Sequence, residues 1–370
     1  MSAAARKINA VVIGYGLSAK IFQIPLILAL PETFNLYGVV QRNSTQAATD
    51  HPGTKVFKTV DEAVADSAVD LVVVSTPPAT HFPFASAALN AGKHVLVEKP
   101  FVPTEAEART LSALAKSKKL HLSVYQNRRW DLDFLTLKEV LAKGTLGEVA
   151  EFESHFDRFR PEPPQDASAA KAWKAVADSP ASGALWDLGP HLIDQVYSLY
   201  GAPKSVYAVL QVQKRGLKTA DCPHDACTVL LRYGEEGSET LVTIKASTIS
   251  AGPTLRYWVR GTKGSFLKHY LDPQEDQLVE GQRPGDKGFA IEPENRFATL
   301  TLHEPATDTF KTETYPSLAT PPTYVEYYRL LGEALQGKGP VPVDADQAAD
   351  VLKIIEMAVE SSKTGKTIAW

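Results

Sequence analysis

The chain has 370 residues, 44% hydrophobic and 22% charged, with a formal net charge of −4; that length carries two domains with cores of their own, and the charge gives no electrostatic reason to expect nucleic acid or an anionic membrane as partner. Two cysteines, Cys222 and Cys227, make no disulfide framework, which fits a reducing compartment. No apolar run approaches the roughly 20 residues of a membrane span, Ile8 to Ile13 is too short for a signal-peptide core, and Ile368-Ala369-Trp370 is no peroxisomal address, so the cytoplasm is the expected location.

The first segment, residues 1–127, alternates strand and helix signals. An apolar run from Ala10 breaks into Gly14-x-Gly16-x-x-Ala19, and a helix-like stretch from Lys20 to Leu30 is closed by Pro31. Strands are expected at Phe34–Gln41, Val69–Ser75, Lys93–Val97 and His121–Tyr125. Helices are expected at Asp61–Ala65, His81–Ala91 and Thr104–Lys118, the last with Thr104 as N-cap and Glu105 and Glu107 in its first turn. Such alternation predicts a parallel, doubly wound α/β sheet of the Rossmann type. The pattern then changes. Residues 128–370 read as an α+β domain with a large, mostly antiparallel open sheet. Helices are expected at Leu132–Ala142, Gly189–Tyr200, Thr323–Leu335 and Asp344–Ser361. Val149–Arg160 alternates, with Phe152, Ser154 and Phe156 on one face. Pro161–Pro180 reads as a long surface loop carrying Trp173. Strand candidates follow one another at Lys204–Gln213, Ala226–Tyr233, Thr240–Thr248, Leu255–Gly261, Ser265–His269, Ala298–Leu302 and Phe310–Tyr315.

Four places carry chemistry. The strand–glycine turn–helix order is the context in which this glycine pattern cradles a pyrophosphate: Gly14 allows the tight turn, Gly16 lets the backbone approach, and a small residue at 19 keeps helix and strand close. At the end of the second strand, Gln41-Arg42-Asn43-Ser44 contains no carboxylate for a ribose 2′-hydroxyl, and an arginine there accommodates a 2′-phosphate; NADP(H) is favoured, with NAD(H) the alternative. Ser75-Thr76-Pro77 leaves the fourth strand, where ligands bind beyond the carboxyl ends of such sheets. His81 nearby reads either as a site residue or, preferably, as one that caps or packs its helix. Glu98-Lys99-Pro100 leaves the next strand toward the same crevice, and Pro100 restricts Lys99 to an extended backbone. Farther on, Asp187-Leu188-Gly189-Pro190-His191 opens a helix. A histidine has the right pKa to move a proton as a hydride moves, although an N-cap aspartate and a packed histidine explain the same string. Cys222-Pro-His224-Asp-Ala-Cys227 supplies too few ligands for a tetrahedral metal site, and no metal is expected.

Taken together, the Gly14-Tyr15-Gly16-Leu17-Ser18 turn, Thr76-Pro77 with His81, Glu98-Lys99-Pro100, Asn127-Arg128-Arg129, and Gly183 through Asp187 to His191 resemble the Gfo/Idh/MocA oxidoreductases. Tyr125-Gln-Asn-Arg-Arg-Trp130-Asp131, Glu151-Phe-Glu-Ser-His155-Phe and Leu271-Asp-Pro-Gln-Glu275 are similar to the NADP-dependent scyllo-inositol dehydrogenase branch, and the likeness spans essentially the whole chain. The resemblance implies a sugar or cyclic polyol as substrate and a homodimer or higher homo-oligomer formed through the second-domain sheet. It implies Lys99 and His191 as the catalytic pair, with Asp187 positioning one of them. Cofactor contacts would come from the 14–18 turn, Arg42, Ser75, Thr76, Pro77, His81, Glu98, Lys99, Asn127 and Arg128. Substrate specificity is expected near Asp157, Arg158, Trp173 and Asp194. Ala19 departs from the third glycine, and Gln41 from the acidic residue that this branch often has. A second class stays open: a cofactor-binding sensor of the same fold without turnover, against which the intact Lys99, Asp187 and His191 set argues.

Overall fold

The computed structural model describes residues 6–161, 181–214 and 223–370. The chain divides into two compact units. The first comprises Met1–Asn127, Gln274–Phe289 and Pro322–Ala349; the second comprises Arg128–Pro273, Ala290–Pro321 and Asp350–Trp370.

The first unit is built on six parallel strands in the order β3-β2-β1-β4-β5-β6. They are β1 (Ile8–Ile13), β2 (Phe34–Val40), β3 (Lys55–Phe57), β4 (Leu71–Val74), β5 (His94–Val97) and β6 (Leu122–Val124). Val11, Val12 and every residue of β4 are fully buried, as continuous apolar strands covered on both faces must be. This strand order is that of dinucleotide-binding sheets, with the reversal point between β1 and β4. The helices α2 (Gln46–Asp50), α3 (Val60–Ala65), α4 (His81–Asn90) and α5 (Glu105–Ser117) join the strands. Thr104 caps α5 by accepting from Glu107 N at 3.2 Å. Two later helices belong to this unit: α9 (Gln274–Val279) and α10 (Val325–Leu335).

One expectation is corrected here. The single helix read over Lys20–Leu30 is a π-helical turn, Ala19–Gln23, followed by a short α1, Ile24–Leu28. Pro25 has no N–H to donate and disrupts the regular ladder. Ile24 N instead reaches back to Ala19 O, one residue farther than an α-helix allows. The short β3, α2 and α9 carry too few residues to establish a hydrophobic period, and none was expected from sequence.

The second unit holds a nine-stranded sheet in the order β14-β13-β12-β11-β7-β10-β9-β8-β15. Its strands are β7 (Val149–His155), β8 (Ser205–Gln211), β9 (Ala226–Tyr233), β10 (Thr240–Ser247), β11 (Leu255–Gly261), β12 (Gly264–His269), β13 (Ala298–Glu304), β14 (Thr309–Tyr315) and β15 (Ile368–Ala369). Only β7 and β10 pair in parallel; the other pairs are antiparallel. Phe152, Ser154 and Phe156 are buried on one face, where the Phe152 ring lies 6.1 Å from that of Tyr200 at the end of α8 (Gly189–Tyr200). A one-turn helix, α7 (Ala184–Asp187), precedes α8, and α6 (Leu132–Ala142) opens the unit. The last long helix, α11, runs Ala345–Thr364. Among the described residues no helix is long and apolar enough to cross a membrane, and no group of acidic, histidine or cysteine side chains is arranged to hold a metal. Cys227 is buried in β9, while Cys222 and Trp173 lie outside the described residues.

Candidate active site

In the first unit the site begins where β1 ends. Gly14 N donates to Val40 O at 3.1 Å, and its φ of +97° is a conformation that costs any residue with a Cβ. A Cβ there would sit 2.5 Å from Ser75 O, so glycine is required twice over. Gly16 is different: a Cβ added there meets nothing within 4 Å. Its backbone borders open space, which is what a cradle for pyrophosphate requires. Leu17 is exposed. The Tyr15 hydroxyl donates to Asp50 at 2.7 Å, and the Lys20 ammonium stands 4.5 Å over the Tyr15 ring.

At the end of β2, Gln41 Oε1 accepts from Ala47 N at 3.1 Å, which turns that side chain toward α2. Arg42 next to it is exposed and makes no hydrogen bond or ion pair among the described residues. At the β4 exit, Ser75 N donates to Ile13 O at 3.0 Å, and Thr80 Oγ1 donates to Thr76 Oγ1 at 2.7 Å. Pro77 is exposed and Thr76 half-buried. His81 is fully buried, with Nε2 2.7 Å from Thr76 O and Nδ1 3.0 Å from Pro100 O and 3.1 Å from Phe101 O. Burial lowers its pKa against the pull of those carbonyls. His81 thus ties the Thr76 turn to the Pro100 loop through both ring nitrogens. The Lys99-Pro100 peptide is cis, Glu98 is buried and Lys99 half-buried.

In the second unit, Gly183 (φ +90°) opens α7, where a Cβ would meet His224 O at 2.8 Å. Ala184 N donates to the same carbonyl at 2.7 Å. One turn later comes half-buried Asp187, and Pro190 starts α8 so that His191 falls in its first turn. His191 is 6% exposed, with its ring 6.2 Å from that of Phe156. Two guanidinium groups flank the same phenyl ring, Arg128 at 4.6 Å and Arg158 at 5.0 Å. Phe156 is thus the surface on which the basic groups of this unit gather. Asp157 is pinned, since Oδ1 accepts from Ser247 N at 2.9 Å.

Two further expected site residues are held by neighbouring side chains. Asp194, expected to face substrate hydroxyls, is buried, and Arg129 grips both its oxygens at 2.8 Å. Such a forked pair leaves a carboxylate little capacity for a ligand. Arg128, expected among the cofactor contacts, is buried between the Phe156 ring and Asp131, whose Oδ2 is 3.3 Å away. Asn127 is buried at the start of a 3-10 turn.

Sequence reasoning missed the polar layer under α8. Gln195, one turn beyond His191, donates to Arg128 O at 2.6 Å and accepts from Arg256 Nη2 and the Tyr257 hydroxyl, both at 2.8 Å. Arg256 is fully buried and also donates to Asp133 at 2.9 Å and His155 O at 3.1 Å. Periodicity alone places arginines and aspartates outside, so no local signal marks this layer.

The class now follows: a dinucleotide-binding oxidoreductase made of a Rossmann unit and an α+β unit. Residues 8–126 match the NAD-binding Rossmann fold, and residues 138–370 the C-terminal alpha/beta domain, of the Gfo/Idh/MocA oxidoreductase family, to which the chain belongs. It is 44% identical to an uncharacterized oxidoreductase of Schizosaccharomyces pombe over 98% of each chain. It is 35% identical to the scyllo-inositol 2-dehydrogenase (NADP(+)) IolW of Bacillus subtilis, over 98% of this chain and 97% of that one. Among solved structures, the oxidoreductase yvaA of Bacillus subtilis superposes with a TM-score of 0.88 at 34% identity, covering 98% of this chain and 100% of the other. The chain is accordingly an oxidoreductase that uses a nicotinamide dinucleotide and a small-molecule substrate.

Proposed function

We propose that this protein is an NADP(H)-dependent oxidoreductase acting on a secondary alcohol, or its carbonyl, in a cyclic polyol or sugar. The observation that carries the cofactor reading is the end of β2, where Arg42 is exposed and no carboxylate stands beside it. A carboxylate there would repel a 2′-phosphate, whereas a free guanidinium attracts one. The substrate class rests on likeness to the Bacillus subtilis scyllo-inositol dehydrogenase.

The nicotinamide, when bound, supplies a hydride acceptor or donor at its ring. The chain does the rest. The 14–18 turn holds the pyrophosphate and Thr76-Pro77 lines the adjoining ribose. Lys99 polarises the reacting oxygen, and His191 takes or returns its proton, with Asp187 positioning one of the two. Much of the acceleration comes from holding the carbinol carbon in place.

Initial rates with inositols and aldoses, run with NADP and NAD side by side, test this. Arg42→Ala is expected to lower kcat/KM for NADP roughly ten- to a hundredfold, the loss of one charge-assisted phosphate contact, while NAD rates hardly change. Faster wild-type rates with NAD would refute the cofactor reading.

The partner we infer is a second copy of the chain. Tyr207, Val209, Leu241 and Trp258 are each more than a third exposed, and their registers put all four on the sheet face opposite Phe152. Large apolar side chains exposed on one sheet face, interleaved with the charged Glu151, Glu153 and Arg232, suit a mixed apolar and polar contact between copies. Light scattering should give at least twice the monomer mass, and a monomer at micromolar concentration would remove the inference.

A further inference from the structure

A buried chain of hydrogen bonds in the first unit ends on Glu98, beside Lys99. The Tyr328 hydroxyl donates to Gln23 Oε1, and Gln23 Nε2 donates to Glu98 Oε1 at 2.6 Å. Ser18 Oγ donates to the same carboxylate oxygen, and Lys99 N donates to Oε2 at 3.1 Å. Gln23 and Tyr328 are fully buried. Burial, Tyr327 and Glu98 together raise the Tyr328 pKa well above that of a free phenol, so its hydroxyl keeps its proton. An amide has one accepting and one donating end. With Oε1 accepting from the Tyr328 hydroxyl, Nε2 is the end that faces Glu98. The π-helical turn caused by Pro25 is what delivers Gln23 to this place. Among the described residues, every group within hydrogen-bond reach of Glu98 donates to it, and charge-assisted bonds of that kind are the strong ones.

The position of this charge gives it a consequence. Ser18 belongs to the turn that cradles the pyrophosphate, and Glu98 leaves β5, in the half of the sheet opposite the adenosine-side β2. The phosphates and riboses of the dinucleotide carry the same charge in both oxidation states. Only the nicotinamide ring differs, being a cation when oxidised and neutral when reduced. A fixed anion in this half separates the two forms by acting on that single difference.

We propose that Tyr328 and Gln23 are positioning residues that hold Glu98 as a fixed anion, and that this anion makes the protein bind the oxidised dinucleotide in preference to the reduced one. The proposal rests on the nicotinamide cofactor and not on the identity of the sugar.

Calorimetric titration of the purified chain with NADP and NADPH, and with NAD and NADH in parallel, gives the ratio of the two dissociation constants without turnover. Glu98→Gln should weaken the oxidised form relative to the reduced form by roughly three- to tenfold, the effect of one screened charge at close range. Tyr328→Phe keeps the ring, which packs 5.7 Å from Phe34 and 6.0 Å from Tyr327, and should shift the ratio the same way by less. It also carries the test should Glu98→Gln fail to fold. Tyr327→Phe removes a neighbouring buried hydroxyl that bonds Ser123 and Val124 O instead, and should leave the ratio unchanged. An unaltered ratio in folded Glu98→Gln and Tyr328→Phe overturns the proposal, as does an equal shift in Tyr327→Phe. A chain that takes no dinucleotide in any form overturns the cofactor reading along with it.

Discussion

His191→Ala and Lys99→Ala should each lower kcat by about a hundredfold or more, the usual worth of a placed proton-transfer group, while dinucleotide affinity survives. Oxidising a secondary alcohol requires its hydroxyl proton to leave as the hydride leaves, and the imidazole of His191 is the group suited to receive it near neutral pH. The ring sits in the first turn of a twelve-residue helix, beside Phe156, in the company of Arg128 and Arg158. Rates on the true substrate, with cofactor affinity measured separately, check this; a near-normal kcat in either variant removes the assignment.

The first unit was legible in sequence because its information is local. Gly14 and Gly16 follow an apolar strand directly, and β2, β4, β5 and β6 are short apolar runs with helical patterns between them, whereas β3 is too short to show one. Thr104 announces its helix by type and position, and its side chain bonds Glu107 N as expected. What failed to show was non-local. Asp194 reads as a polar residue one turn past a candidate base, and only the fold reveals Arg129, 65 positions earlier, closing on it. No local sign in the sequence shows that Arg128 lies over Phe156. Lys20–Leu30 reads as one helix-like stretch, and the π-helical turn before Pro25 is the backbone's answer to one missing donor. Gln23 and Tyr328 are 305 residues apart, and no spacing rule connects them.

Arg256→Met should destabilise the protein by about 3–5 kcal/mol, because it strands a buried carboxylate without its counter-charge. Arg256 and Asp133 are each 1% exposed, and the pair is joined at 2.9 Å. Burial works against the guanidinium charge, yet Asp133, Tyr257 and Asp131 more than offset it and the pKa of Arg256 rises. Asp133 Oδ1 is already buried with no partner among the described residues, so it has no second donor to fall back on. Asp131 is protected, since Arg128 Nη1 stays 3.3 Å away. At about 2–4 °C per kcal/mol for a domain of this size, the melting temperature should fall by roughly 6–20 °C. The double variant Arg256→Met, Asp133→Leu should recover much of the loss, because a buried ion pair replaced whole by apolar side chains is often neutral. Recovery of stability need not restore activity. Gln195 shares the Arg256 guanidinium and lies one turn from His191 on α8, so the double variant loses a tie that fixes the His191 helix. Thermal melts of both variants, with kcat measured on the double, separate the two roles of Arg256. A single variant that melts within a degree or two of wild type would show that the layer under α8 is not held by this pair.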